Sequence, residues 1–177
     1  MEEVKDLRLD NRQGLGAKLQ ELTKRVPGFE GYLDRQKRRQ ADTVHREYLS
    51  KLLSSKKSSV QDIGGALLSS GGLKYMSELD SITNVIDKVN NRVRSAGSTG
   101  GNFFSMQDID TELLDRIYEY DLALLGDIES LDEKIDTLRS AAETNDNVNA
   151  AISGVKNVLN GLNNSLDGRE KILKGLE

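Results

Sequence analysis

The groups best able to do chemistry gather in Pro27-Gly28-Phe29-Glu30-Gly31-Tyr32 and the arginine-rich stretch after it. Arg38, Asp42 and Arg46 fall at i, i+4 and i+8, and Arg35 and Arg39 flank the same acid. On a helix that spacing makes an Arg–Asp–Arg ladder along one face. Guanidinium forks match phosphate oxygens, so the ladder predicts either an anion surface or an internal ion-pair layer. Asp80 and Asp121 sit on or beside apolar seams, where a bare carboxylate is costly. An ion-pair layer facing acids of the third and fourth helices is therefore the favoured expectation.

Catalytic and metal chemistry find little footing. His45 is the single histidine, and Asp42-x-x-His45 supplies only half of a helical metal motif. A dinuclear bundle site needs two Glu-x-x-His pairs, so His45 is expected to be an exposed helix residue. Gly97-x-x-Gly100-Gly101 lacks the Lys-Ser/Thr of a phosphate loop and follows no strand, which predicts a flexible connection. Asp108 to Glu112 begins like a calcium loop, but Leu113 stands where the sharp turn needs glycine. The absence of cysteine excludes disulfides, thiolate zinc sites and cysteine nucleophiles. No catalytic residue, metal or cofactor is expected.

The elements that position these residues read as helices throughout. Hydrophobic content is 36% and charged content 31%, with one proline, a profile of long amphipathic helices. Residues 1–26 present Leu15, Leu19, Leu22 and Val26 on one face, and Val26-Pro27-Gly28 ends that helix. A second helix is expected from near Phe29 to about Lys57. A fresh N-cap at Ser58 then opens a short piece closed by Gly71-Gly72. A third spans roughly 73–96, Gly97–Asn102 form a loop, and a fourth covers about 106–142, capped by Ser105 or Asp108. No strand alternation is present. The spacing predicts an all-α fold, a bundle of four to five long helices with coiled-coil-like packing. Residues 1–143 form the bundle, and 144–177 form a C-terminal heptad helix, packed back or used for association.

That tail has an a/d series through Ile152, Val155, Leu159, Leu162 and Leu166, interrupted at d by Arg169. Beside it glycine recurs every seventh residue, at Gly154, Gly161, Gly168 and Gly175. These glycines either let a partner backbone approach or mark exposed positions where helix strength is not needed. Arg169 suits an acid on a facing helix, Asp121 or Asp110.

Charge divides unevenly. Residues 27–57 hold eight Lys/Arg against four acids, while 101–143 hold three against twelve, which predicts that the second and fourth helices lie side by side. The overall acidity (net −4) argues against nucleic acid as a partner. The charged start and the lack of a long apolar run predict a cytoplasmic protein, free or membrane-associated.

Pro27-Gly28-x-x-Gly31-Tyr32-x-x-Arg35-x-x-Arg38-Arg39-x-Ala41-Asp42 is followed by a Leu/Asp-rich helix and a glycine stretch with Phe103-Phe104. Leu113-Leu114-Asp115-x-Ile117-Tyr118-x-Tyr120-Asp121 completes the pattern. Together they resemble a bacterial family of small helical proteins often encoded beside band-7 (SPFH, flotillin-like) membrane-scaffold proteins. The resemblance covers about residues 20–140 and leaves the glycine-columned tail outside. It implies association with a membrane scaffold and no chemistry.

The residues alone point to a non-enzymatic interaction or scaffold role, through homo-oligomerisation or capture of a protein partner's helix. The seam and glycine column of the tail would carry it, with Arg35, Arg38, Arg39, Asp42, Arg46 and Asp121 as the polar layer. The alternative is a peripheral membrane or anion-binding module using the arginines.

Overall fold

The computed structural model describes residues 3–176; Met1, Glu2 and Glu177, ends of the expected first helix and of the tail, lie outside that description. Five α-helices carry the described residues: α1 (Glu3–Arg25), α2 (Arg38–Ser69), α3 (Met76–Phe104), α4 (Thr111–Thr144) and α5 (Val148–Lys174). A 3-10 turn at Leu73–Tyr75 leads into α3, and no strand occurs among the described residues. The chain is all-α, as its apolar spacing predicts.

Several boundaries differ from those expected, each for a local reason. The second helix begins at Arg38 rather than near Phe29. Gly28 and Gly31 adopt φ of +80° and +85°, a left-handed conformation that interrupts a helix. Asp34 Oδ1 then accepts the Gln36 N–H at 3.0 Å, forming a side-chain turn just before α2. No break follows at Ser58. The hydroxyls of Ser58 and Ser59 donate back to the carbonyls of Ser54 and Ser55, which satisfies them within the helix instead of as caps. Val60, Ile63 and Leu67 continue the buried face to the helix end. There Gly71 turns left-handed at φ +86°, and Gly72 N–H reaches the Leu67 carbonyl at 2.6 Å in a Schellman closure.

The largest departure is at Gly97–Asn102, expected as a loop and found as the last turns of α3. Each glycine costs a helix about 1 kcal/mol relative to alanine, and packing offsets it here. Gly100 is buried against Phe104 and Leu173, and Gly97 lies under the Arg46 guanidinium. The irregular connection falls instead at residues 105–110. Asp110, not Ser105 or Asp108, caps α4: its Oδ1 accepts the Glu112 N–H at 3.1 Å.

The chain packs as two compact units, and each of α2 to α5 contributes a segment to both. The first comprises residues up to 48, 95–124 and from 165 onward; the second comprises Leu49–Arg94 and Leu125–Asn164. In the second, Leu53 and Val60 of α2 share the core with Ile82 and Ile86 of α3, Leu131 and Ile135 of α4, and Val155 and Leu159 of α5. Its rim carries ion pairs: Lys56 Nζ to Asp132 at 2.5 Å, Lys57 to Asp87 at 2.6 Å, and Lys156 to Glu78. The Lys56–Asp132 pair joins basic α2 to acidic α4, the adjacency that the charge division predicts. Such exposed pairs add about 0–1 kcal/mol each, so the apolar seams hold this unit.

Candidate functional site

The chemistry of the chain converges in the first unit, on the segment before α2. Gly28 and Gly31 bend that segment so that Phe29 and Tyr32 enter the core from a turn. The Tyr32 ring is stacked between Phe104 (4.8 Å between centroids) and Tyr118 (5.2 Å), with Phe29 edge-on at 5.3 Å. Tyr118 Oη accepts the Tyr32 backbone N–H at 2.7 Å, and Arg38 Nε donates to the Tyr32 carbonyl at 2.7 Å. Both backbone polar groups of Tyr32 are therefore satisfied inside the core.

From Tyr32 a buried chain of charge runs across three helices. Its hydroxyl donates to Asp121 Oδ2 on α4 at 2.5 Å, while Arg169 Nε on α5 donates to Asp121 Oδ1 at 2.6 Å. Arg169 Nη2 also donates to Asp42 Oδ1 on α2 at 2.8 Å, and Arg46 Nε donates to Asp42 Oδ2 at 2.8 Å. Asp42, Asp121 and Arg169 are each at most 3% exposed, so their charges persist only because each faces an opposite one. Burial opposes the Arg169 charge, yet Asp121, Tyr32 and Asp42 outweigh it and hold its pKa well above the ordinary arginine value. Burial would raise the Asp42 carboxyl, but Arg169 and Arg46 together hold it below its usual range. Burial, reinforced by Asp121, raises the Tyr32 phenol well above its ordinary value, and burial pushes Tyr118 up to about 12.

His45 corrects the reading of an exposed residue: it is fully buried, with Nδ1 3.5 Å from Asp121 Oδ1 and neither ring nitrogen hydrogen-bonded. Burial lowers its pKa, with Arg169 adding to that effect and Asp121 opposing it. An unfolded histidine titrates near 6.5, so on acidification the unfolded chain takes the proton first. The His45 contribution to stability is complete above about pH 6.5 and declines below it. Asp42 adds a second loss at more acid pH, where its depressed carboxyl is finally protonated. His45→Leu should change stability at neutral pH by less than about 1.5 kcal/mol and should remove the upper of these two losses. Urea unfolding across a pH series reads both; a variant with the wild-type pH slope would show that His45 is not its source.

The other expected site residues are distributed as follows. Of the ladder, Arg46 pairs with Asp42, Arg38 is buried against the carbonyls of Tyr32 and Met106, and Arg39 donates from Nε and Nη2 to the Gly101 carbonyl. Arg35 is exposed. The favoured layer is therefore present only in part: Arg46 pairs within its own helix, Arg38 and Arg39 turn to backbone carbonyls, and the α4 acid Asp121 is met by Arg169 of α5, as the break in the α5 seam predicts, with His45 of α2 beside it. Asp80 is exposed and needs no partner. Ile152, Val155, Leu159, Leu162 and Leu166 are all buried within the chain's own units, which withdraws them from contact with a second chain.

The glycine column also resolves into unlike positions. Gly175 lies beyond α5 as its left-handed cap (φ +67°), with the Leu176 N–H on the Lys171 carbonyl. Gly168 is covered by the Tyr120 ring, which occupies the space of a Cβ. A Cβ at Gly154 would touch only Lys134 at 3.5 Å, and one at Gly161 would meet nothing. Gly161→Ala is therefore expected to stabilise the fold by up to about 1 kcal/mol. Thermal unfolding checks this, and a loss of stability would reveal a contact at that face.

Sequence reasoning missed His45, Tyr32 and Tyr118 as members of one cluster. A usable signal was present for His45, because Arg38, Asp42, His45, Leu49 and Leu53 step by fours and threes and are all buried. Among the described residues no group of three or more His, Asp or Glu side chains is arranged to hold a metal ion. Compared with family models, curated proteins and solved structures, the chain matches none.

Proposed function

We propose that this is a non-enzymatic interaction protein that associates with a second copy of itself through an apolar groove in the first unit. The groove carries the reading. It has a volume of about 500 Å³ and is lined by Phe103, Met106, Leu113, Ile172 and Leu173, at the ends of α3 and α5 and the start of α4. Met106, 49% exposed, lines it, and Leu176, 64% exposed, directly follows its Gly175 wall. An apolar hollow with exposed apolar side chains beside it lets two copies pack the same face against each other, the arrangement of a two-fold interface. The buried cluster suits a structural role: His45 and Asp121 are 0% exposed, and no substrate can touch them without opening the unit.

Sedimentation velocity over a wide concentration range tests the proposal. A concentration-dependent dimer is expected, and Met106→Glu should weaken it by at least about tenfold. Leu33→Glu, at an exposed leucine outside the groove, should leave it unchanged. A monomer at every concentration, or a dimer indifferent to Met106→Glu, would contradict the proposal. Among the described residues no helix is long and apolar enough to cross a membrane.

A further inference from the structure

A second hollow of the first unit lies between the start of α2 and the last turns of α3. Its volume is about 310 Å³, and its polar lining includes Arg39, Thr43, Arg46, Ser98 and Asn102. That size is at the lower end for small-molecule sites. We propose that this cleft binds a phosphate group, carried by a small molecule or a lipid headgroup.

Charge is the first argument. In the bonds of this region Arg38, Arg39, Arg46 and Arg169 stand against Asp42 and Asp121, while burial keeps His45 neutral. Of the cleft's own lining, Arg39 is a cation whose bonds go to a carbonyl and not to an acid. Arg38 and Arg39 are met by carbonyl oxygens, which orient a guanidinium without neutralising it. Asp42, the carboxylate at the cleft, has one oxygen on Arg46 and the other on Arg169, so its charge is already matched.

Geometry is the second argument. The Gly97 backbone lets the Arg46 guanidinium lie directly on α3: a Cβ there would stand 2.5 Å from Nη2. The Gly101 carbonyl holds Arg39 by Nε at 3.3 Å and Nη2 at 3.0 Å. Both guanidinium groups line the one cleft together with the Asn102 amide, while the Thr43 and Ser98 hydroxyls there donate to the Arg39 and Ser95 carbonyls. Fixed guanidinium donors with a neighbouring side-chain amide donor suit tetrahedral phosphate oxygens.

Inorganic phosphate titrated into the 15N-labelled full chain, followed by NMR, is the test. The amides of 39–46 and 97–102 should shift saturably, and the shift should weaken as salt rises. Arg39→Gln, at an exposed residue whose bonds go to a single carbonyl, should fold and lose at least about tenfold in phosphate affinity. Arg35→Gln, outside the cleft, should retain wild-type affinity. Phosphatidylcholine vesicles with and without phosphatidic acid form the second arm. Binding only with phosphatidic acid assigns the headgroup, and phosphate binding without vesicle binding assigns a soluble phosphate compound. The absence of a saturable shift, or equal weakening by Arg35→Gln and Arg39→Gln, would overturn the proposal.

Discussion

Arg169→Met is expected to destabilise the protein by about 3–5 kcal/mol, the cost of leaving buried charges without their partner. The side chain is 3% exposed and bridges Asp121 on α4 and Asp42 on α2. Methionine fills much of its volume, so the loss is electrostatic rather than a cavity effect. Asp42 retains Arg46, but Asp121 is left with the Tyr32 hydroxyl and a neutral histidine. Lysine in place of Arg169 should recover only part of the loss, because a single ammonium cannot reproduce two bonds made from different nitrogens of one planar group. Equilibrium unfolding in urea measures both variants. A loss below about 1 kcal/mol for Arg169→Met would mean that water or another cation compensates the acids.

Gly31→Ala is the second large effect, about 2–4 kcal/mol, from backbone strain and overpacking together. The residue has φ +85°, and an added Cβ would stand 2.5 Å from Leu19 Cδ1 and 2.8 Å from Tyr118 Oη. Leu19 can swing aside, but Tyr118 Oη is held by the Tyr32 N–H, so the methyl group breaks a bond that closes the turn. Gly28 provides the comparison. Its φ is nearly the same at +80°, yet a Cβ there would meet only Val44 at 4.0 Å. Gly28→Ala should show the backbone part alone, about 1 kcal/mol. Equal thermal shifts for the two variants would contradict the proposed contact with Tyr118.

The helices were legible because their stabilising signal is periodic and local. Ile82, Ile86, Val89 and Val93, or Leu124, Ile128, Leu131 and Ile135, mark a buried stripe whichever neighbour covers it. Arg169 was legible for the same reason, since a cation on such a stripe requires an acid opposite. What could not be read depended on tertiary contact. Glycines at 97, 100 and 101 look like a loop in isolation, but tertiary neighbours cover them as a helix: Arg46 at Gly97, Phe104 and Leu173 at Gly100, and Arg39 at Gly101. The seam of α5 announced that it would be buried without saying by what. His45 illustrates the complementary limit: residue type suggested exposure while its step from Asp42 to Leu49 placed it inside, and position decided.

A double-mutant cycle on Arg169→Met and Asp121→Asn tests most directly whether the buried charge chain closes the first unit. Asparagine keeps an acceptor for the Tyr32 hydroxyl while removing the charge that Arg169 faces. The double variant should be less destabilised than the sum of the single losses, by about 1–3 kcal/mol of coupling. Losses that add to within about 0.5 kcal/mol would show that the two residues act independently and that apolar packing alone holds the Tyr32 turn in place.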